Sequence, residues 1–323
     1  MRIVFCGTPL FAVPTLKFLV EQSDFEIAAV ITQPDRARGR GQEVSFSPVK
    51  EAAAEAGIPV HQPEKIRAPE AQELLQTIAP DAIVIIAYGQ IIPARLLPIP
   101  RLGWINLHAS LLPKYRGAAP INWAIVNGET KTGVTSMRID AGMDTGEMLL
   151  QRELEIGPAE TAPELAARMS ELGAPVMAET LRGLAADTIA GRAQDGAKAS
   201  MAPMLKREDG RVDWRRPAQE IFNRIRGFAP WPGAYTAFRG QTCHIWGEPA
   251  SNDLGDAGGE DVRGNEAATP GSLLVQRNGL MVRCGGATYL RLASVKVEGR
   301  KQISAAEFVN GTHLRSGEHF GES

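Results

Sequence analysis

The sequence predicts two successive domains, an α/β domain with a mostly parallel sheet and then a small β-barrel. The chain has 323 residues, more than one ordinary domain and fewer than three. In the first half, short apolar segments alternate with helical patterns, as in βαβ units. After residue 206 the hydrophobic period changes to two, which is typical of antiparallel strands.

The first domain contains five predicted strands with helices between them. The strands cover residues 3–6, 27–32, 82–87, 104–107 and 134–139. Shorter helices are predicted over residues 13–20, 48–56 and 69–78. A longer helix begins after Thr161, which has capping-box spacing to Glu164, and continues to Leu184. This helix ends a first domain predicted at residues 1–189.

A linker is predicted at residues 190–205, because small residues there show no periodicity. The second domain, residues 206–323, begins with a helix at 217–226. Its strands are predicted at residues 242–246, 273–276, 280–284 and 289–297, with an Asn278-Gly279 hairpin turn and an acid-rich loop at 251–270. This many short strands predicts a small barrel of the OB type.

The bulk composition excludes several protein classes. Three cysteines without a CxxC pair indicate neither a disulfide framework nor a zinc site, and the five histidines form no ligand cluster. Only Gly7 stands where a dinucleotide fingerprint needs three glycines, which argues against NAD or FAD. We see no signal peptide and no membrane span, so we expect a cytoplasmic protein. We also expect a monomer, and one without metal because the histidines form no ligand cluster.

Two polar side chains lie at the end of the fourth predicted strand. Asn106 and His108 are two positions apart, which puts them on the same face. Acyl transfer to an amine needs an oxyanion donor and a proton carrier, and an amide beside an imidazole supplies both. Alternatively, Asn106 caps a turn and His108 is a structural histidine. The pair alone leaves both interpretations open.

Asp144 lies in a loop after the fifth predicted strand, between Gly142 and Gly146. The carboxyl ends of parallel strands meet at one edge of a sheet, so we expect Asp144 to lie near His108 and to orient it. The alternative is that Asp144 only forms an Asx turn.

An arginine loop and a basic segment are candidate RNA contacts. Arg36, Arg38 and Arg40 fall within five residues, and residues 201–241 hold eight Lys and Arg against four acids. Guanidinium groups suit phosphate contacts, although most charged runs are simply solvated surface. OB-type barrels commonly bind nucleic acid through a basic groove.

Seven motifs together resemble the methionyl-tRNA formyltransferase family over nearly the whole chain. In order they are GTPLFAVPTL, TQPDRARGRG, AYGQIIP, NLHASLLPKYRGAAPIN, GMDTGEML, LKREDGRVDW and FAPWPGAYT. The resemblance implies a Rossmann-like domain followed by an OB-like domain, with 10-formyltetrahydrofolate as the formyl donor. It implies that this group passes to the methionine of initiator tRNA for translation initiation.

The resemblance also implies roles for particular residues. Asn106, His108 and Asp144 correspond to the catalytic set, and the arginine loop and Lys206 correspond to tRNA contacts. The implied folate-binding residues follow two strands and are Tyr88, Gly89, Gln90, Ile91, Ser110, Leu111, Leu112 and Pro113. Leu10 departs from the family, which more often has an acidic or polar residue there.

Two other kinds of function remain open. One is a folate-dependent enzyme that formylates a small amine or hydrolyses formyl-folate, although neither needs an arginine loop or a second domain. The other is a non-catalytic RNA-binding or folate-sensing protein, which has no need of an acid–base set. Measuring the turnover of formyl-folate with and without charged tRNA distinguishes these two kinds of function from formyl transfer to tRNA.

Overall fold

The computed structural model describes residues 1–38, 43–250, 269–276, 279–314 and 318–321, and for residues 37, 38, 43 and 44 the backbone alone. The chain divides into two compact units. The first comprises Met1–Ile121, Lys131–Ile156 and Glu164–Pro203, and the second comprises Asn122–Thr130, Gly157–Pro163 and Met204–Ser323. Each unit is therefore built from several stretches of chain.

The described part of the first unit contains nine strands. They are β1 (Arg2–Gly7), β2 (Glu26–Ile31), β3 (Arg36–Arg38), β4 (Glu43–Ser45), β5 (Val60–His61), β6 (Ala82–Ile86), β7 (Trp104–His108), β8 (Lys131–Arg138) and β9 (Met148–Glu155). Seven form one sheet in the order β5-β2-β1-β6-β7-β8-β9. The first five strands in this order, β5, β2, β1, β6 and β7, are parallel to one another. β8 pairs antiparallel with β7, and β9 pairs antiparallel with β8. β3 and β4 pair separately and are called the arginine ribbon below.

The described helices begin and end close to sequence signals. They are α1 (Val13–Val20), α2 (Pro48–Glu55), α3 (Pro69–Ile78), α4 (Pro120–Val126), α5 (Ala162–Ala185), α6 (Ala218–Gly227) and α7 (Ala305–Thr312). Ser47 caps α2 by accepting the Lys50 N–H at 3.1 Å. In α5, a Cβ on Gly173 would stand 2.3 Å from Leu107 Cδ2, so this glycine lets α5 approach β7.

The second unit is built on an antiparallel sheet. Its strands are β10 (Tyr235–Phe238), β11 (Gln241–Pro249), β12 (Leu273–Gln276), β13 (Gly279–Arg283), β14 (Tyr289–Val297) and β15 (Ile303–Ser304). Their order is β10-β11-β14-β13-β12, and β15 pairs with β14. Along β11, Cys243 and Ile245 are buried while His244 and Trp246 are half-buried, the alternation that the sequence shows.

The predicted fold class is confirmed, and several elements were missed. The structure has the mostly parallel α/β sheet and a second antiparallel domain consistent with a small barrel, and α1 and α3 have the predicted bounds. The missed elements are β3, β4, β5, β9, β10, β15, α4 and α7. Most of these have two to four residues, too few for a period to emerge.

Residues 190–203, within the predicted linker, are part of the first unit. Arg192 exchanges two backbone hydrogen bonds of 2.9 Å with Met148, and the Ala202 N–H donates to the Arg116 carbonyl at 2.7 Å. The division into residues 1–189, 190–205 and 206–323 stays a prediction.

Three predictions fall partly or wholly outside the described residues. They are Arg40, the turn at 277–278 and most of the loop at 251–270. Across the described part of the chain, no helix is long and apolar enough to cross a membrane.

The cysteines are buried free thiols in both units. Cys6 lies in the first unit, and Cys243 and Cys284 lie in the second. Burial raises the pKa of the Cys6 thiol far above its usual value, and it raises the pKa of Cys243 and Cys284 to about 12. All three are therefore protonated and inert in the folded protein.

Candidate active site

β7 presents the two polar side chains that the sequence singled out. Every residue of β7 is buried except Asn106, which is half-buried, and His108 is only 6% exposed. The Asn106 amide makes no hydrogen bond with the described residues. A half-buried amide of this kind has its donors available for a ligand.

A backbone carbonyl fixes the His108 ring. Nε2 lies 2.8 Å from the Tyr115 carbonyl oxygen, which can only accept, so Nε2 carries the proton in the neutral ring. Nδ1 faces the Asp144 carboxylate, with 3.6 Å between Nδ1 and Oδ2. Asp144 thus stabilises charge on the ring, while the Tyr115 carbonyl sets its orientation.

The Asp144 carboxylate is held by the backbone of the loop after β7. Its Oδ2 accepts the Gly117 N–H at 2.8 Å, and its side chain is 19% exposed. The Asx turn considered for this loop is formed by Asp140, whose Oδ1 accepts the Gly142 N–H at 3.0 Å. The Asp144 side chain is therefore not committed to that turn.

Asp144 lies near His108, as we expected, but the strands on either side of its loop do not run in the direction that we expected. β8 is antiparallel to β7, so Arg138 at its end pairs with Ile105 near the start of β7. The argument from converging parallel strand ends is therefore wrong for this loop, because Asp144 lies in the turn between two antiparallel strands, β8 and β9.

The sequence analysis missed Gln194, which lies in the predicted linker. Its Nε2 donates to the carbonyls of Asp144 and Gly146, both at 2.8 Å. Its Oε1 accepts two bonds from the Arg116 guanidinium, at 3.0 and 2.7 Å. One side chain thus connects the Asp144 loop to the loop that carries Tyr115. An isolated Gln in a segment without periodicity gives no signal from which this could be predicted.

The four residues after β7 that the resemblance assigns to folate form a constrained turn. Ser110 is fully buried, and its Oγ donates to the Lys114 carbonyl at 2.6 Å. Leu112 is also buried, and its N–H and C=O bond to Thr135 and Gln151. The half-buried Leu111 and Pro113 are the members of this group with exposed surface.

The four assigned residues after β6 differ among themselves. Tyr88 is 1% exposed, burial raises the pKa of its phenol, and the hydroxyl has no partner among the described residues. Gln90 turns its side chain to the Ile66 N–H, at 2.7 Å. Gly89 is exposed and has a positive φ of 86°, and Ile91 is 89% exposed. Gly89 and Ile91 are thus the two accessible to a ligand.

A cleft of about 590 Å³ opens at the carboxyl ends of β1, β2 and β6. Its walls are residues 8–10, 33–36, 45–48 and 87–89. The Tyr88 carbonyl joins two of these walls, because it accepts from Thr8 Oγ1 at 3.2 Å and Gln33 Nε2 at 3.0 Å. Leu10, 70% exposed, gives the rim an apolar contact. The cleft therefore extends from the assigned Gly89 to the arginine ribbon.

The arginine ribbon places Arg36 at the edge of that cleft. Arg36 begins β3, is exposed, lines the cleft and has no acidic partner among the described residues. Arg38 ends β3.

Most of the eight Lys and Arg at residues 201–241 already have a partner. Arg215, Arg216 and Arg239 pair with acids. Arg226, 6% exposed, donates to the carbonyls of residues 157 and 160. Within the described ranges, Lys206, Arg207 and Arg211 are exposed and make no ion pair. The local basic excess is therefore smaller than the sequence suggests.

The fold and its polar site define a formyltransferase. A family model described as formyl transferase matches residues 1–181, and one described as formyl transferase, C-terminal domain, matches residues 204–313. The fold is also that of a solved sugar 3N-formyl transferase, at a TM-score of 0.65 and 19% identity over 93% of this chain and 99% of that one. The described residues contain no group of three His, Cys, Asp or Glu that could hold a metal ion.

Sequence relatives narrow the class. The chain is 54% identical to the methionyl-tRNA formyltransferase of Solibacter usitatus, over 100% of this chain and 99% of that protein. It is 51% identical to that of Acidobacterium capsulatum, over 97% of each. The chain belongs to the methionyl-tRNA formyltransferase family.

Proposed function

We propose that this enzyme transfers the formyl group of 10-formyltetrahydrofolate to the amino group of methionine on initiator tRNA. The formylmethionyl-tRNA so formed serves translation initiation. The observation that supports the proposal is the approach of His108 to Asp144, in a chain of this family, with Asn106 on the same strand as His108 and bonded through its side chain to none of the described residues.

The available amide of Asn106 suits it to the reacting carbonyl. When bound, 10-formyltetrahydrofolate supplies the formyl carbon that the methionyl nitrogen attacks. Asn106 Nδ2 donates to the formyl oxygen, and that hydrogen bond strengthens as the oxygen gains negative charge.

His108 moves the proton through Nδ1, because Nε2–H is committed to the Tyr115 carbonyl. Nδ1 takes a proton from the attacking amine and returns one to the departing folate nitrogen. The ring is briefly an imidazolium, and the Asp144 carboxylate 3.6 Å away stabilises that charge.

The two assigned loops fit a folate through their exposed members. Ile91 and Leu111 offer apolar surface to the ring system, and Gly89 lets a ligand approach the backbone closely. We assign Tyr88, Gln90, Ser110 and Leu112 a structural role in holding these two loops. We assign Pro113 to the turn that leads from the loop after β7 to Lys114.

The arginine ribbon and Lys206 would bind the tRNA. Arg36, Arg38 and Arg40 would supply guanidinium groups to the phosphates, and of these Arg36 has no acidic partner among the described residues. Lys206 is an exposed ammonium. The cleft beside Arg36 is concave and of a size to take the aminoacyl end of the acceptor.

We further propose that the enzyme works in the cytoplasm as a monomer. Translation initiation takes place there, and His108 and Gln194 make their contacts with Asp144 within a single chain, which needs no second copy to bring these residues together. Light scattering after size exclusion tests the second point: a mass of two chains at working concentration would overturn it.

The test is formyl transfer from 10-formyltetrahydrofolate to methionyl initiator tRNA. It compares the enzyme with a variant carrying Arg36→Ala, Arg38→Ala and Arg40→Ala. We expect transfer by the enzyme and a sharp loss in the variant at moderate salt, since phosphate contacts weaken as salt rises.

The control changes the same amount of charge elsewhere. Arg101, Arg152 and Arg182 are exposed and paired with acids in the first unit, and their replacement by Ala should leave transfer nearly unchanged. If formyl-folate is consumed without tRNA formylation, the acceptor is a small amine or water instead.

A further inference from the structure

We propose that Lys50 is a positioning residue for tRNA, because it fixes both ends of the arginine ribbon at once. The proposal rests on the proposed function, in which the ribbon contacts tRNA.

The first end of the ribbon is fixed at Asp35, the residue before β3. The Lys50 ammonium forms an ion pair with Asp35 Oδ2 and a hydrogen bond of 2.9 Å with Gln62 Oε1. Gln62 Nε2 in turn donates to Asp35 Oδ1 and to the Gln33 carbonyl, both at 2.9 Å. The Asp35 carboxylate is thus held by the Lys50 and Gln62 side chains. The bond from Gln62 to the Gln33 carbonyl also holds the chain two residues before Asp35.

The second end of the ribbon is fixed at Phe46 and Ser47, just after β4. The Lys50 N–H donates to Ser47 Oγ at 3.1 Å, and its ammonium lies 4.2 Å from the centre of the Phe46 ring. Ser47 Oγ also lies 2.8 Å from Thr32 Oγ1, at the end of β2. The Lys50 ammonium therefore contacts both ends of the ribbon, Asp35 by an ion pair and Phe46 by a cation–π contact, while the bond to Ser47 comes from its backbone.

The ion pair is sheltered enough to hold its geometry. The Lys50 and Asp35 side chains are 24% and 18% exposed, less than the other Lys and Arg pairs with acids described in this chain. The hydrogen bond from Lys50 is the main reason that the pKa of the Asp35 carboxyl is lowered. Between these anchors, Arg36 projects into the cleft with no acidic partner of its own among the described residues.

Anchoring both ends reduces the number of ribbon conformations that RNA binding must restrict. Preorganisation of this kind improves affinity without adding a contact. We therefore expect Lys50→Met to raise the KM for methionyl-tRNA about tenfold while kcat at saturating tRNA and the KM for formyl-folate stay within about twofold. Lys50→Arg, which can reach both Asp35 and Gln62, should recover most of the loss.

The control is Lys17→Met, which breaks the exposed Lys17–Glu55 pair between α1 and α2 and should leave every constant unchanged. Hydrogen exchange of residues 34–47 in the full chain should become faster in Lys50→Met and not in Lys17→Met.

The decisive measurement adds Lys50→Met to the variant that carries Arg36→Ala, Arg38→Ala and Arg40→Ala. If Lys50 acts through the ribbon, the combined variant should be little worse for tRNA than the variant without the three arginines. Effects that multiply, or a fall in kcat instead of a rise in KM, would overturn the proposal while leaving the formyl transfer intact. An unmodified enzyme that formylates no tRNA would overturn the proposed function, and this proposal with it.

Discussion

Among the three candidate catalytic side chains, Asn106 differs in having no hydrogen-bond partner within the described part of the chain. His108 is held by a carbonyl and Asp144 by a backbone N–H, so each has a structural duty as well as a chemical one. A half-buried amide can hydrogen-bond water until a ligand replaces that water, so its donors reach a ligand without loss of an intramolecular bond. Asn106 is therefore the residue whose replacement should separate chemistry from folding most cleanly.

We predict that Asn106→Ala lowers kcat by about 10²- to 10³-fold, the usual effect of removing one oxyanion donor. The thermal midpoint should stay nearly the same, because no described intramolecular hydrogen bond is lost. Formyl-folate binding, followed by its quenching of tryptophan fluorescence, should change little. Unchanged turnover would rule out the assigned role.

At the scale of elements, the site depends on a segment without regular secondary structure. Gln194 connects two loops by four hydrogen bonds, and Ser200 Oγ accepts the Tyr115 N–H at 2.9 Å. Both residues belong to the stretch that the sequence presented as a linker. Ser200 holds Tyr115, whose carbonyl orients His108, and Gln194 holds the loop that carries Asp144.

We predict that Gln194→Glu lowers kcat more than tenfold, by analogy with the cost of a misplaced catalytic group. A carboxylate can still accept from Arg116 but cannot donate to the carbonyls of Asp144 and Gly146. Gln72→Glu is the control, since Gln72 only accepts from Arg95 at the surface. Equal kcat values for the two variants would contradict the prediction.

The parts of the site that can be predicted from the sequence are those that follow from the two-residue alternation of side chains along a strand. Alternation on β7 predicts that Asn106 and His108 share a face, and the structure places both on that strand. The Tyr115 carbonyl carries no side-chain signature, since any residue could supply it. The antiparallel direction of β8 was also beyond reach, because a buried strand has the same apolar pattern in either direction.

At the scale of the whole molecule, the two units carry different titrating groups. In the second, His244 pairs across strands with Tyr235, their ring centres 5.7 Å apart. Burial first, and then the charges of Lys296 and Arg207, lower the pKa of His244 below its ordinary value of 6.5. The unfolded chain therefore binds this proton more readily than the folded one.

We predict that the second unit loses stability as the pH falls below about 6.5, the unfolded histidine value. The sign follows because protonation is favoured in the unfolded state across that window, and the loss is absent above it. His244→Gln should flatten the change in urea midpoint between about pH 7.5 and about pH 5.5. A variant with the same slope as the unmodified protein would disprove this.

Alkylation of the buried thiols can report when each of the two units opens. Because Cys6 belongs to one unit and Cys243 and Cys284 to the other, alkylation at each reports a separate event. An alkylating reagent can attack a thiol only while the sheet around it is open. Peptide mapping after a timed pulse would then show which half of the enzyme opens first, and whether bound tRNA or folate slows one half or both.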